Sequence, residues 1–211
     1  MIWYVIPARK NSKGYPNKNR YLLDLTLDGF PEDLYENLIV TTDDEYIQKK
    51  IDKKINVLKR KAELSEDDTS IKSVLEDVVK NYKIKNNDII VMLYLTYPGR
   101  TYEDIERTLE FFKNKKASSL LCKMNVRTHP YLCLETVDQF KGKQVTKHDL
   151  YRRQDYPQCF ELSHFVCIFK VRELKKLNSN MYNKDTFFYP VHRHVDVDYK
   201  EDYRKYSEGI E

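Results

Sequence analysis

Short apolar runs alternate with segments of helical periodicity along this chain. The apolar runs span residues 2–6, 38–42, 55–58, 88–95, 118–124 and 165–169. Runs of this length that end at polar residues or Pro are typical of buried strands. Because the runs alternate with helical segments, they predict a mostly parallel sheet with crossover helices, and the almost wholly apolar run at 88–95 is expected at its centre.

Three segments between these runs predict helices. Residues 45–54 follow two Asp residues suited to begin a helix. Thr101 and Asp104 match a capping box at the start of another helix. From residue 71 onward the apolar side chains recur every three or four positions behind a polar cap at residues 67–70, which predicts one apolar stripe. The stripe consists of Val74, Leu75, Val78, Val79 and Tyr82.

The length and composition favour one globular α/β domain over residues 1–211. Residues 125–160 have weak periodicity and contain Pro130, Gly142 and Pro157, so we expect an excursion from the main sheet there. The chain has 41% hydrophobic and 33% charged residues, and its net charge of +4 is close to balance. Bulk attraction to nucleic acid is therefore not expected. The apolar runs are too short for a signal peptide or a membrane span, so we expect a cytoplasmic protein without membrane contact.

A basic loop follows the first apolar run, at the position where open α/β sheets bind ligands. It carries four cations, one hydroxyl group and Gly14, which permits a close backbone approach. The cations are Arg9, Lys10, Lys13 and Lys18, and the hydroxyl group belongs to Ser12. This combination predicts a phosphate site. The alternative is an ordinary solvated basic loop.

Polar and apolar residues alternate from His192 to Asp198. On a strand this alternation would place Asp196 and Asp198 on one face and the neighbouring valines in the core. Paired carboxylates suit Mg²⁺, which prefers carboxylate and phosphate oxygens. His192 and His194 would share that face, so Mn²⁺ or Zn²⁺ would also suit it. The alternative is an edge strand with a solvated polar face.

A cationic loop and a carboxylate pair together are the minimum equipment for nucleotidyl transfer, which depends on positioning and charge neutralisation. At this point the residues resemble a known family, the CMP-N-acylneuraminate synthetases (acylneuraminate cytidylyltransferases). Residues 6–19 are similar to the family's I-P-A-R-x-x-S-K-G-x-x-x-K-N signature. Four further segments match in order, namely residues 40–44 (V-T-T-D-D), 60–64 (R-K-A-E-L), 152–155 (R-R-Q-D) and 195–198 (V-D-V-D).

The resemblance implies a doubly wound α/β fold of the nucleotide-diphospho-sugar transferase type, with helices on both faces of the sheet. It implies CTP and a sugar acid as substrates, Mg²⁺ as the ion with Mn²⁺ as a substitute, and a homodimer in which residues 125–160 build part of the partner's pocket. The implied nucleotide-binding residues are Ala8, Arg9, Ser12, Lys18, Asn19 and Arg60. The implied catalytic residues are Lys18, Asp196 and Asp198, of which the two aspartates hold the metal, and the implied sugar-binding residues are Tyr94, Arg153 and Gln154.

Two departures from the family pattern fall on the acceptor side. Tyr94 stands where the family has Gln, and Ser163 and His164 stand where it has an Asn-Gly pair. Such changes alter which acid a site accepts. N-acetylneuraminate, a related nonulosonic acid, an eight-carbon Kdo-like acid and a non-sialic acceptor therefore stay open. Two other classes also stay open: a nucleotide-binding or regulatory protein without turnover, and an anion- or RNA-binding module that stacks bases on some of the 17 tyrosines.

Overall fold

A seven-stranded mixed sheet forms the centre of the protein in the computed structural model, which describes residues 1–209. The last two residues of the expected domain lie outside the described residues. Across the described residues the strands are β1 (Ile2–Pro7), β2 (Leu38–Thr42), β3 (Asn56–Lys59), β4 (Ile89–Met92), β5 (Ser119–Asn125), β6 (Leu134–Thr136), β7 (Gly142–Gln144), β8 (Phe160–Lys170) and β9 (Phe187–Pro190).

The strand order in the main sheet is β3-β2-β1-β4-β8-β5-β9, and only β8 runs antiparallel to its neighbours. The predicted mostly parallel sheet is therefore confirmed, and β4 occupies its centre as expected. β6 and β7 form a separate two-stranded sheet within the excursion. The carboxyl ends of β1, β2 and β4 lie at one edge of the sheet, because these strands are parallel.

Helices cover both faces of the sheet. They are α1 (Lys18–Asp28), α2 (Glu45–Lys50), α3 (Ile71–Asn81), α4 (Tyr102–Asn114) and, near the end of the described chain, α5 (Lys200–Glu208). Successive residues of a strand face opposite sides, so Tyr4 and Ile6 of β1 join the core under α1, α2 and α4, whereas Val5 joins the core under α3. None of the helices in the described part of the chain is both long and apolar enough to cross a lipid bilayer.

The start signals of the predicted helices are confirmed at atomic detail. The Ser70 side chain accepts a hydrogen bond from the amide of Lys72 at the start of α3, and Thr101 and Asp104 form the reciprocal capping box of α4. The helix predicted over 45–54 ends earlier, at Lys50, because Ile51 is already extended.

The prediction of a strand over the acidic segment is wrong. Residues 191–198, all of which the structure describes, form no strand. Two backbone hydrogen bonds hold the segment instead, from Val191 to the carbonyl of Lys123 and from Val197 to the carbonyl of Thr96. These tethers preserve part of the expected alternation, since Val197 is buried while Asp196 and Asp198 are exposed.

Candidate active site

A cleft of about 320 Å³ opens at the carboxyl ends of β1 and β4, where ligands of open α/β sheets bind. The basic loop forms one side, and the residues that precede α3 form another. Seven of the residues predicted from the sequence line this one cleft: Arg9, Ser12, Lys18, Asn19, Arg60, Tyr94 and Asp198. The structure therefore brings the early cations and the late acidic segment together.

Lys18 joins these two parts of the chain. Its side chain is only 8% exposed, and its Nζ donates to the carbonyl of Val197 at 2.7 Å and to Asp198 Oδ1 at 2.9 Å. Gly14 also allows the basic loop to pack closely against the acidic segment, because a Cβ at this position would collide with the backbone carbonyl of Asp198. The basic loop and the acidic segment are thus locked against each other.

Neighbouring polar groups also hold Arg9, the first cation of the basic loop, in place. Arg9 Nη1 donates to Asp67 Oδ1 at 2.7 Å, and Asn19 Nδ2 donates to the carbonyl of Arg9 at 2.8 Å. Ala8 does not line the cleft, because it is buried and its backbone groups bond to Thr41 and Thr42 of β2. Ala8 therefore anchors the start of the loop to β2 through its backbone.

Arg60 lines the cleft as a buried cation with spare donors. Its side chain is buried, and Nη2 donates to the carbonyl of Thr41 at 3.0 Å. Nε has no hydrogen-bond partner among the described residues. Burial lowers the pKa of this guanidinium to about 10, opposed by the nearby charge of Asp43. A buried donor without a partner costs free energy, so the protein satisfies Arg60 less completely than Lys18.

The two aspartates have different surroundings. Asp196 as a whole residue is exposed, but neighbouring protein atoms partly bury its carboxyl group and raise the pKa of that group. The charge of Asp198 adds to this, although the hydroxyl groups of Thr96 and Tyr97 oppose the shift. Asp198 is ion-paired with Lys18 and remains 64% exposed. Asp198 lines the cleft and Asp196 does not, but the two carboxylates lie close enough to repel each other. This arrangement fits a divalent cation that takes its other ligands from phosphate and water.

The histidines are not part of this carboxylate pair, which corrects the prediction of a shared face. The His194 ring lies 3.0 Å from Ser163 Oγ through Nε2 and stacks on Phe165 with ring centroids 4.2 Å apart. His192 and His194 line a different recess that contains neither aspartate. No group of three or more His, Cys, Asp or Glu side chains in residues 1–209 is arranged to hold a metal ion.

The expected sugar-binding residues are divided between two regions. Tyr94 lines the cleft, where its ring packs edge-on against His164 with centroids 5.7 Å apart. Burial raises the pKa of its phenol group. Arg153 and Gln154 lie in an exposed turn of the excursion and do not line the cleft of their own chain.

Asp67 and Thr96 line the cleft but are not among the site residues predicted from the sequence. The sequence pattern indicates Asp67 only as part of the polar cap before α3 and predicts no role for Thr96. Neither position carries a signal that would separate it from other polar residues in loops, because each depends on how distant loops fold together.

A family model and several relatives match this chain over most of its length. A model described as cytidylyltransferase matches residues 3–205. An N-acylneuraminate cytidylyltransferase of Streptococcus agalactiae is 27% identical over 94% of this chain and 51% of its own length. A post-translational flagellin modification protein B of Campylobacter coli is 27% identical over 96% of this chain and 92% of its own length.

A solved structure of CMP:2-keto-3-deoxy-manno-octonic acid synthetase complexed with CTP superimposes with a TM-score of 0.65 at 14% identity, covering 98% of this chain and 97% of that one. The chain spans about half the length of the streptococcal relatives it matches. The family model, in contrast, covers nearly the whole chain, including the basic loop and both aspartates. The chain therefore belongs to the cytidylyltransferase family.

Proposed function

We propose that this protein transfers CMP from CTP to a sialic-acid-like keto-sugar acid and releases pyrophosphate, giving a CMP-sugar. The single observation that carries the proposal is the pair of hydrogen bonds from Lys18 to Val197 and Asp198, which holds the basic loop and Asp198 together at one cleft. The names of the relatives support CTP and a sugar acid as the substrates. We place the reaction in the cytoplasm, where CTP is available.

The cleft residues divide by what each donates. Arg9 and Ser12 bind the triphosphate, because a guanidinium and a hydroxyl group both donate to phosphate oxygens. Arg60 and Asn19 bind the cytidine, since both line the cleft and carry N–H groups that can donate a hydrogen bond to a base carbonyl. Lys18 holds Asp198 in place and brings its positive charge to the phosphates.

Asp196 and Asp198 would hold Mg²⁺, with Mn²⁺ as a substitute, and the ion would neutralise phosphate charge when bound. The protein's own side chains orient the substrates. The anomeric hydroxyl group of the acid forms a bond to the α-phosphorus, the bond from that phosphorus to pyrophosphate breaks, and the hydroxyl proton passes to water. The reaction needs no protein nucleophile.

The acceptor side is completed by a second copy of the chain in this proposal. Tyr94 alone cannot neutralise the carboxylate of the acid, and Arg153 lies outside the cleft of its own chain. We propose a homodimer in which the excursion of the partner subunit supplies Arg153 and Gln154. In support, eight of the fifteen large exposed apolar side chains among the described residues lie in residues 125–160.

The test is pyrophosphate release with CTP against a panel of eight- and nine-carbon keto-sugar acids, with ATP, GTP and UTP as controls. We expect release with CTP and at least one acid, and none from Asp198→Ala, whose exposed position leaves the fold intact. CTP binding without release for any acid would instead indicate the nucleotide-binding protein that the changes at Tyr94 and Ser163 leave open. Release by Asp198→Ala at the wild-type rate would contradict the metal role.

A further inference from the structure

One carboxylate neutralises two cations of the basic loop. Asp67 Oδ1 accepts from Arg9 Nη1 at 2.7 Å, and Asp67 Oδ2 lies 2.5 Å from Lys13 Nζ. Asp67 also lines the cleft together with Arg9 and Ser12. Its two oxygens therefore pair with two cations that a bound triphosphate would also attract, one of them, Arg9, in the cleft lining.

The backbone on both sides of Asp67 is held in place. Before it, Ser65 Oγ donates to the carbonyl of Lys61 at 3.1 Å, and the carbonyl of Ser65 accepts from Arg9. After it, Thr69 Oγ1 donates to the carbonyl of Glu63 at 3.1 Å, and Ser70 caps α3. These contacts keep the carboxylate beside the loop, so a bound triphosphate meets its negative charge even after the ion pairs break.

We propose that Asp67 acts as an internal competitor of the polyphosphate, pairing with Arg9 and Lys13 and thereby weakening the binding of both CTP and released pyrophosphate. The inference rests on the phosphate site of the proposed function. It makes Asp67 a positioning residue whose loss tightens binding, whereas the loss of a residue with a merely structural role would loosen it. The weaker binding speeds product release, since pyrophosphate dissociates faster from cations that have another partner.

The experiment measures the binding of inorganic triphosphate and of CTP to the full chain by calorimetry. Asp67→Asn keeps an oxygen acceptor for Arg9 while removing the charge. Because exposed ion pairs contribute modestly, we expect roughly threefold to tenfold tighter binding of both ligands. Asp67→Glu should restore the wild-type affinity. The matched control is Asp68→Asn, whose exposed side chain makes no hydrogen bond or ion pair in the described part of the chain and should leave the affinity unchanged.

A second readout is turnover. Asp67→Asn should lower KM for CTP while kcat falls or stays constant, because product release slows. Unchanged or weaker triphosphate binding by Asp67→Asn would overturn the inference and leave the proposed function standing, since it would show that Asp67 only orders the loop. Failure of the wild-type protein to bind either triphosphate or CTP would overturn both.

Discussion

Lys18 and Arg60 are both buried cations that face the cleft, yet the protein satisfies them to different extents. Lys18 has two acceptors, the carbonyl of Val197 and the carboxylate of Asp198. Arg60 has one, the carbonyl of Thr41, which also accepts from the amide of Ala8. Replacing the two cations should therefore have different effects on the free energy of unfolding. Comparing the two variants distinguishes a cation that stabilises the fold from one that binds a ligand.

Arg60→Met should weaken CTP binding about tenfold to a hundredfold, the effect of losing a charged hydrogen bond. The free energy of unfolding should change little, because an unpaired buried Nε disappears and Thr41 keeps its bond from Ala8. Calorimetry with CTP and urea unfolding measure the two effects. A large loss of stability with unchanged CTP affinity would contradict the assignment of Arg60 to the nucleotide.

Lys18→Met should destabilise the fold by about 1 to 3 kcal/mol, because the buried carbonyl of Val197 loses its donor. Turnover should also be lost, since Asp198 is no longer held. Urea unfolding beside Arg60→Met provides the comparison, because both variants replace a buried cation by the same side chain. Equal stability of the two variants would show that the contact to Val197 contributes nothing.

At the element scale, the first turn of α2 combines a cap with an ion pair. The Asp44 carboxylate accepts from the amide of Tyr46 and from Arg20 of α1 through both oxygens, at 2.6 and 3.1 Å. Burial alone would raise the pKa of Asp44, but the bonds from Arg20 and Tyr46 outweigh it and hold the pKa below the ordinary value of 3.8. α1 and α2 are thereby joined beneath the loop.

Asp44→Asn keeps the cap acceptor but removes the charge, so it should cost about 1 kcal/mol at neutral pH. A carboxyl group with a lowered folded-state pKa stabilises the fold above its unfolded value, and this contribution disappears as the pH falls through the folded-state value. The stability difference between the wild type and Asp44→Asn should therefore shrink below about pH 3.8. Urea unfolding from pH 7 to pH 3 measures it, with the exposed Asp28→Asn as the control; a constant difference would refute the linkage.

The elements that sequence reasoning predicted are those with local signals. α3 and α4 carry apolar stripes and side-chain caps within a few residues. The sequence does not predict α1, because its N-cap residue, Asn17, is left-handed and forms no side-chain cap. The strand predicted over 192–198 is wrong because strand formation depends on a partner, and only the backbone hydrogen bond from Val197 to Thr96 reaches this segment.

The candidate site shows the same division. Arg9, Ser12, Lys18 and Asn19 lie close together in the sequence, so one motif was enough to predict them, and the structure places them in one cleft. The ion pair between Arg9 and Asp67 joins residues 58 positions apart. Its formation depends on how the loop before α3 folds back over β1, which no local pattern encodes.

At the scale of the whole molecule, the exposed apolar side chains concentrate in the excursion over residues 125–160. Its hairpin of β6 and β7 pairs with no strand of the main sheet, and Phe140 and Tyr151 are 90% and 95% exposed. Apolar side chains concentrated in one exposed region mark a surface that another protein covers. This observation supports the proposed homodimer.

The double variant Phe140→Glu with Tyr151→Glu should therefore be a monomer, since buried charges at an apolar interface oppose association. Light scattering after size exclusion measures the mass, and Leu25→Glu, at a partly exposed site on α1, is the control. Pyrophosphate release should fall with dimer content because, in the proposed homodimer, each cleft takes Arg153 from the other copy of the chain. A wild-type protein that is already monomeric would contradict the proposal.

The contact between Lys18 and Asp198 joins residues 180 positions apart. Ribosomes extend the chain from its amino end, so the basic loop exists long before its acidic counterpart has been translated. A nascent polypeptide arrested before residue 198 emerges should pass through a column of immobilised CTP, whereas one arrested well beyond that point should be retained. Capture of the nucleotide would then report the late stage of synthesis at which the polypeptide becomes functional.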